Sequence, residues 1–364
     1  MAGRRARPLR IAYYAHVNGA STSGVFLKIF GQVERWAAQG HDVRLFVATR
    51  DDGAQWLSRI QDASVHRYDG LRSRWRAMVE IAKDVRAYAP DLIYVRWDLF
   101  YPPMLRFPRQ ALLVVEVNSD DLREYRLGRQ LRAGYNALTR GLVLRRARAL
   151  VFVTDELARS SSFRTYPGQR RVISNGIDLA AYPSHGAPAN ERPRLAFVGT
   201  AGQSWHGVDK VIRLARLRPG WAFDIVGMQP SSAEAASNVT WHGPLERAGV
   251  LDVLGRADIG IGTLALHRKA MNIACPLKVR EYLAVGLPVL YGYQDPDIDD
   301  VDVLGRFVLR IPNRETNVED CLADIDVFVA RVRGRRVPRS SVSHIDLARK
   351  EAERLALFAD LAEG

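Results

Sequence analysis

The chain is predicted to be α/β, built as two Rossmann-like domains facing a cleft. Three observations carry this. Short β-branched runs separated by helical patterns recur along the whole length. A small, polar, proline-containing stretch, SHGAPANERPR at 184–194, interrupts them near the middle. The same alternation then resumes. Alternating strands and helices imply parallel sheets with helices on both faces. The expected division is a first domain over 1–185, a second over 186–340 and a terminal helical segment over 341–364.

In order, RIAYYA (10–15) reads as a strand, and 24–40 reads as a helix stopped by Gly40. Strands follow at 41–48, 64–68, 91–97, 111–117, 149–154 and 170–174, most of them preceded by a helix. Beyond the linker, strands are expected at 195–199, 223–227, 239–243, 257–262 and 287–291. The stretch 344–363 has the spacing of a helix.

Of the 364 residues, 47% are hydrophobic, which is enough for two sizeable cores. Two cysteines, Cys275 and Cys321, make no disulfide framework and lack metal-site spacing. The basic MAGRRARPLR is followed by a run too short and polar for a signal-peptide core. No apolar run approaches the roughly 20 residues of a membrane span. A cytoplasmic location is expected.

The excess charge lies in the first half. Residues 1–185 hold 30 Lys and Arg against 17 Asp and Glu, while 186–364 are balanced at 23 each. The excess is densest over 122–148, with Arg123, Arg126, Arg129, Arg132, Arg140, Arg145, Arg146 and Arg148. Leu127, Leu131, Tyr135, Leu138 and Leu142 recur there three or four apart, so the segment reads as a basic, partly amphipathic helix. It suits a solvated face, an anionic lipid surface at the inner membrane face or a lipid diphosphate. Nucleic-acid binding is a further reading, but no sequence-specific DNA or RNA motif accompanies the charge.

The most informative segment is CPLKVREYLAVGLPVL, 275–290. Pro276 opens it, Leu277, Val279, Tyr282, Leu283 and Ala284 follow a helical spacing, and Gly286 closes the helix before a buried strand. Lys278 falls in the first turn and Glu281 less than a turn later. Backbone N–H groups and a cation at a helix N-terminus suit phosphates, and a carboxylate one turn on suits ribose hydroxyls. An amphipathic helix with a solvated Glu281 also satisfies the pattern.

This segment resembles the donor-site signature of retaining glycosyltransferases of family 4, which have the GT-B fold. The resemblance extends through 261–284, VGTAGQSWHGVDKVIRLA (198–215) and VISNGID (172–178). It implies a nucleotide-diphosphate-sugar donor held by the second domain, with no metal or other cofactor, and a last helix crossing back to the first domain. Glu281 would hold the ribose, beside Pro276 and Leu277. Family members carry cations near Gly199 to neutralise the leaving diphosphate, where this chain has Thr200 and His206. Lys210, four residues after His206, would supply that charge together with Lys278, and these two are the catalytic candidates. Asn175 would face the ligand, and Gly227 and Gly243 would let the backbone approach the base. Gly24, at the end of the glycine- and serine-rich 16–24 loop, would lie near the phosphate, with Lys28 one turn further in.

One departure stands out. The family carries a second glutamate eight positions before Glu281, close to the transferred sugar, and here that position is Ile273. A non-catalytic nucleotide binder is therefore an alternative, and an anionic-polymer or membrane-surface binder is another. On the acceptor side, Arg96, Glu116 and Asn118 stand at strand ends, where open α/β sheets bind ligands. The acidic run 295–302 reads as a solvated loop rather than a metal site. The expected partners are a nucleotide sugar, a glycan or lipid-linked acceptor, and an anionic membrane surface at 122–148.

Overall fold

The computed structural model describes residues 7–18, 24–50, 62–127, 130–230, 236–299 and 301–364. The chain forms two compact units. One runs to Ser174 and includes Leu347–Gly364, and the other is Asn175–Asp346.

The first unit is a seven-stranded sheet in the order β3-β2-β1-β4-β5-β6-β7, with every pairing parallel. Its strands are β1 (Arg10–His16), β2 (Asp42–Thr49), β3 (Ala63–Arg67), β4 (Leu92–Arg96), β5 (Leu112–Val117), β6 (Ala149–Phe152) and β7 (Gln169–Val172). Helices α1 (Gly24–Ala38), α2 (Leu71–Tyr88), α3 (Asp121–Arg126), α4 (Gln130–Thr139), α5 (Gly141–Leu144) and α6 (Asp155–Arg159) connect them. α1 forms because Phe26, Ile29, Val33 and Trp36 fall on one stripe, which the sheet buries. It stops at Gly40, whose φ of +92° and N–H bond to the Ala37 carbonyl (2.9 Å) end a helix at low steric cost.

The C-terminal helix, Leu347–Glu363, belongs to this first unit. Trp36 holds it there. The indole packs edge-on against Phe358 at 5.1 Å and donates from Nε1 to Glu351 at 2.8 Å. Gly31 makes room for it, since a Cβ there would lie 2.4 Å from Leu347 Cδ2.

The second unit is a six-stranded, all-parallel sheet in the order β10-β9-β8-β11-β12-β13. Its strands are β8 (Arg194–Val198), β9 (Ala222–Val226), β10 (Val239–Gly243), β11 (Ile259–Ile261), β12 (Val289–Tyr291) and β13 (Val308–Arg310). Helices α7 (Val208–Leu217), α8 (Arg247–Arg256), α9 (Leu277–Ala284), α10 (Asn317–Asp320) and α11 (Leu322–Val332) complete it. In each sheet the connections reverse direction once, beside β1 and β4 in the first and beside β8 and β11 in the second. Loops at the carboxyl ends of such a pair diverge and leave a crevice.

Three details differ from the sequence reading. The units divide at Ser174/Asn175, before the 184–194 stretch. Residues 175–182 are tied into the second unit, where Ile177 bridges Asp346 and Asn175 Nδ2 donates to the Cys275 carbonyl at 2.8 Å. The 184–194 stretch is itself anchored there, with Asn190 Nδ2 2.9 Å from Asp258. Second, 122–148 is three helices rather than one. Gly141 is a poor helix former, Thr139 Oγ1 bonds back to the Tyr135 carbonyl at 2.7 Å, and Arg140 turns inward to Asp121 at 3.0 Å. Third, β13 was not anticipated, being only three residues long.

Candidate functional site

Three glycines shape the carboxyl end of the second sheet. Gly199 follows β8, Gly227 follows β9 and Gly243 ends β10. The Gly199 N–H bonds the Val226 carbonyl (3.0 Å), and the Gly227 N–H bonds the Gly243 carbonyl (2.7 Å). Gly227 has φ +92°, and a Cβ on it would lie 2.0 Å from the Gly199 oxygen. Only glycine allows these backbones to approach so closely. Gly243 has φ +63°, and its open face is filled by Gln229, 2.5 Å from where a Cβ would stand.

The loop after β8 runs past exposed Thr200 into a tight turn, Ser204–His206, and closes at Gly207 in the left-handed region. The His206 carbonyl accepts from the Leu264 N–H at 3.2 Å, which joins the loops after β8 and β11. Gly199 again lies close, since a Cβ there would come 3.1 Å from His206 Nδ1.

Onto this turn comes Lys278. α9 begins at Leu277 with Pro276 as its N-cap, so the Leu277 and Lys278 N–H groups lack intrahelical acceptors, while that of Val279 bonds the Pro276 carbonyl at 3.2 Å. Lys278 Nζ sits 4.4 Å above the Phe197 ring, and His206 packs edge-on against the same ring at 6.0 Å. On the other side of His206, Trp205 carries Lys269 Nζ over its face at 4.2 Å. Two ammonium groups thus flank one imidazole across two aromatic rings. Both Lys278 Nζ and His206 Nδ1 are buried and have no hydrogen-bond partner among the described residues. Burial pulls Lys278 down to about 7. Burial, then the charges of Lys278 and Lys269, pull His206 down to about 3. His206 is therefore neutral at physiological pH and can donate or accept one hydrogen bond. Buried polar atoms without partners are rare and costly, so this arrangement suits a bound anion.

Glu281 lies one turn further along α9. Burial raises its pKa, against the pull of Arg247 and of the Tyr182 hydroxyl, which donates to Oε1 at 3.2 Å. Arg247 lies over the Tyr182 ring at 4.6 Å. Asn175 acts on the loop before α9, because its amide bonds the Cys275 carbonyl and its own carbonyl accepts from Arg280 Nε at 3.2 Å.

Lys210 departs from expectation. Its ammonium donates to the Arg314 carbonyl (2.6 Å) and Asn317 Oδ1 (3.0 Å), so it braces α7 against the segment leading into α10. The second cation beside His206 is Lys269, which the sequence reading passed over. Ile273 is held by a parallel bridge to Gln294 and presents an aliphatic chain. Three carboxylates of the acidic run are paired rather than solvated, while Asp302 is exposed and Asp300 lies outside the described residues. Asp295 and Asp297 bind the buried Arg280 guanidinium, and Asp299 binds Arg310 at 2.7 Å and the Tyr291 hydroxyl at 2.6 Å. Among the described residues, no group of three or more His, Cys, Asp or Glu side chains is placed to hold a metal ion.

Arg96, Glu116 and Asn118 do come together in the first unit, but inside a buried ion cluster. Glu116 accepts from Lys28 at 2.8 Å, Arg96 at 3.3 Å, Asn118 at 3.0 Å and Arg354 of the C-terminal helix at 3.4 Å. Burial opposes its ionisation, yet these cations hold its pKa far below the usual carboxylate range. Lys28 is therefore spent on Glu116 and Asn118 rather than on a phosphate. Gly24 is the first residue of α1, and residues 19–23 of its loop lie outside the described residues. At the carboxyl ends of β1 and β4, His16 Nδ1 meets Asp98 at 2.5 Å, and Asp98 also accepts from the Tyr125 hydroxyl at 2.8 Å. His16 carries no sequence signal, because its partner is 82 positions away.

Residues 28–176 match the profile of the glycosyl transferase 4-like domain family. No curated protein matches the chain. Several solved structures share its fold. Sucrose-phosphate synthase from Thermosynechococcus elongatus superposes with a TM-score of 0.71 at 17% identity, over 96% of this chain and 98% of that one. The Anabaena protein HepE, solved with UDP and glucose, gives 0.65 at 14% identity, over 97% and 99%. The lipopolysaccharide outer core galactosyltransferase WaaB, in apo form, gives 0.62 at 12%, over 96% and 99%. The fold is accordingly that of the GT-B glycosyltransferases, with two parallel-sheet Rossmann-like units.

Proposed function

We propose that this chain is a metal-independent, retaining glycosyltransferase. It moves a sugar from a nucleotide-diphosphate sugar of the UDP or GDP type to a glycan or lipid-linked acceptor. One observation carries the reading, namely the buried Lys278 ammonium and His206 imidazole, both without hydrogen-bond partners among the described residues, at the switch point of the second sheet. A diphosphate would give each a partner and would keep Lys278 charged. HepE, of the same fold, was solved with UDP and glucose, which favours a uridine nucleotide.

In this reading the Lys278 ammonium, the Leu277 and Lys278 N–H groups and Lys269 stabilise the charge that develops on the diphosphate. The bond between the anomeric carbon and the phosphate oxygen breaks, and its electron pair stays on that oxygen. The acceptor hydroxyl forms the new bond on the same face, and its proton passes to the leaving phosphate oxygen. No side chain is then needed as general base. Neutral His206 donates or accepts one hydrogen bond at the diphosphate or sugar, and Glu281 takes the ribose hydroxyls. Metal independence is supported by Asp295, Asp297 and Asp299 of the acidic run, which are engaged by Arg280 and Arg310.

Nucleotide release tests this. Wild type supplied with a panel of UDP- and GDP-sugars in EDTA should turn over one donor, and Lys278→Met should lower kcat/KM for it at least a hundredfold. Ile273 favours a second reading, a binder without turnover, because an aliphatic chain can neither hydrogen-bond a sugar nor stabilise a cationic one. Nucleotide binding with no release from any donor would select it.

A further inference from the structure

We infer that the α3–α5 face of the first unit docks on an anionic lipid bilayer. Leu131 is 94% exposed, Leu138 87%, Leu127 51% and Leu142 49%, with Tyr135 beside them. Within α4, Leu131, Tyr135 and Leu138 are four and three apart and share one side of the helix, and Leu127 and Leu142 are exposed on either side of it in sequence. α4 buries Ala133 and Asn136 on its opposite side, so its leucines are turned outward. Elsewhere, exposed Leu71 and Trp75 make only a pair one turn apart on α2, and Val327 stands alone on α11.

The occupant follows from what surrounds the stripe. Residues 122–148 hold eight arginines and one acidic residue, Glu124. Arg126, Arg145 and Arg148 are exposed. Arg140 is not part of this surface, because it is buried against Asp121 and the Phe163 ring. Protruding leucines among solvated arginines match acyl chains beneath anionic headgroups. A protein interface of this kind would centre on aromatic anchors, yet the one aromatic in the stripe, Tyr135, is tethered to the Phe100 carbonyl at 3.1 Å. Single-stranded nucleic acid would need stacking platforms where leucines stand. Among the described residues no helix is long and apolar enough to cross a membrane, so the contact lies on the surface. This goes beyond the transfer reading and does not depend on it.

Vesicle flotation tests the inference. Full-length protein is mixed with phosphatidylcholine vesicles containing about a third phosphatidylglycerol, or with phosphatidylcholine alone, at physiological salt. Wild type should float with the anionic vesicles and not with the neutral ones. Leu131→Ser/Leu138→Ser should lower partitioning at least tenfold while leaving the thermal midpoint and any nucleotide-induced shift unchanged, because those leucines face solvent. Arg126→Gln/Arg145→Gln should weaken binding to the anionic vesicles and flatten its dependence on salt. Equal partitioning into both vesicle types, unchanged flotation of the serine variant, or a wild-type dimer that the serine variant loses would each overturn it.

Discussion

Lys278 is the residue on which the account turns. Its ammonium is buried over Phe197 with no hydrogen-bond partner among the described residues, and burial brings it down to about 7. Three consequences follow. Lys278→Met removes an uncompensated buried cation, so the free protein should be as stable as wild type or more so. The same variant should bind nucleotide diphosphate roughly 10- to 100-fold more weakly, on the order of 1.5–3 kcal/mol for one bond to a charged group, read by calorimetry. The third is a pH dependence. Between about 7 and the unfolded lysine value near 10.5, the unfolded chain binds one more proton than the folded one, so Lys278 makes stability rise with pH. Denaturant titrations from pH 7 to 10 should show wild type gaining on Lys278→Met. A constant difference across that range would place the lysine in water. Lys278 and Glu281 were legible in the sequence because both belong to one helical turn. Lys269, Trp205 and Tyr182 were not, because their roles depend on loops that meet only in the folded unit, as when Tyr182 reaches Glu281 across 99 positions.

Among the elements, the glycines at the carboxyl ends of β8, β9 and β10 do the positioning. Gly227→Ala would force a positive φ on a side chain and drive its Cβ into the Gly199 carbonyl. The expected cost is about 3 kcal/mol or more, measured by chemical denaturation. Gly202→Ala, also at positive φ but with nothing within 4 Å, should cost only about 1 kcal/mol. Equal effects would mean that the close backbone approach carries no weight. The alternation of strands and helices was readable because parallel strands buried on both faces are near-continuous apolar runs. The break of 122–148 into three helices was not, since periodicity of the leucines runs straight through it. What ends α4 is an arginine turning inward to Asp121, a contact across 19 positions that no local pattern marks. The same leucines, which gave the segment its amphipathic spacing, are exposed.

At the scale of the whole molecule, the chain returns to its beginning, and the last helix is part of the first unit's core. Arg354 completes the cluster around Glu116 and Glu351, and Phe358 closes on Trp36 and Tyr94. Arg354→Met should therefore destabilise the first unit by about 3 kcal/mol, because it leaves two buried carboxylates short of a partner. Glu116 adds an acid limit. Its folded pKa is depressed, so the stability it contributes is present above the usual glutamate value and is lost as pH falls below about 4.5. Glu116→Gln should flatten that acid limb in a thermal melt. The return of the last helix was expected from family resemblance. The ion cluster that secures it was not, because Arg354 and Glu116 lie 238 positions apart.

The most direct test is thermal unfolding of wild type, Lys278→Met and Glu281→Gln with UDP, GDP, ADP and dTDP, each in large excess and without metal. A ligand at about a hundred times its dissociation constant adds roughly 2.7 kcal/mol to the folded state. The account predicts that one nucleotide, with UDP foremost, raises the wild-type midpoint by several degrees and that both variants lose most of the shift. No shift with any nucleotide, or a full shift retained by Lys278→Met, would contradict it.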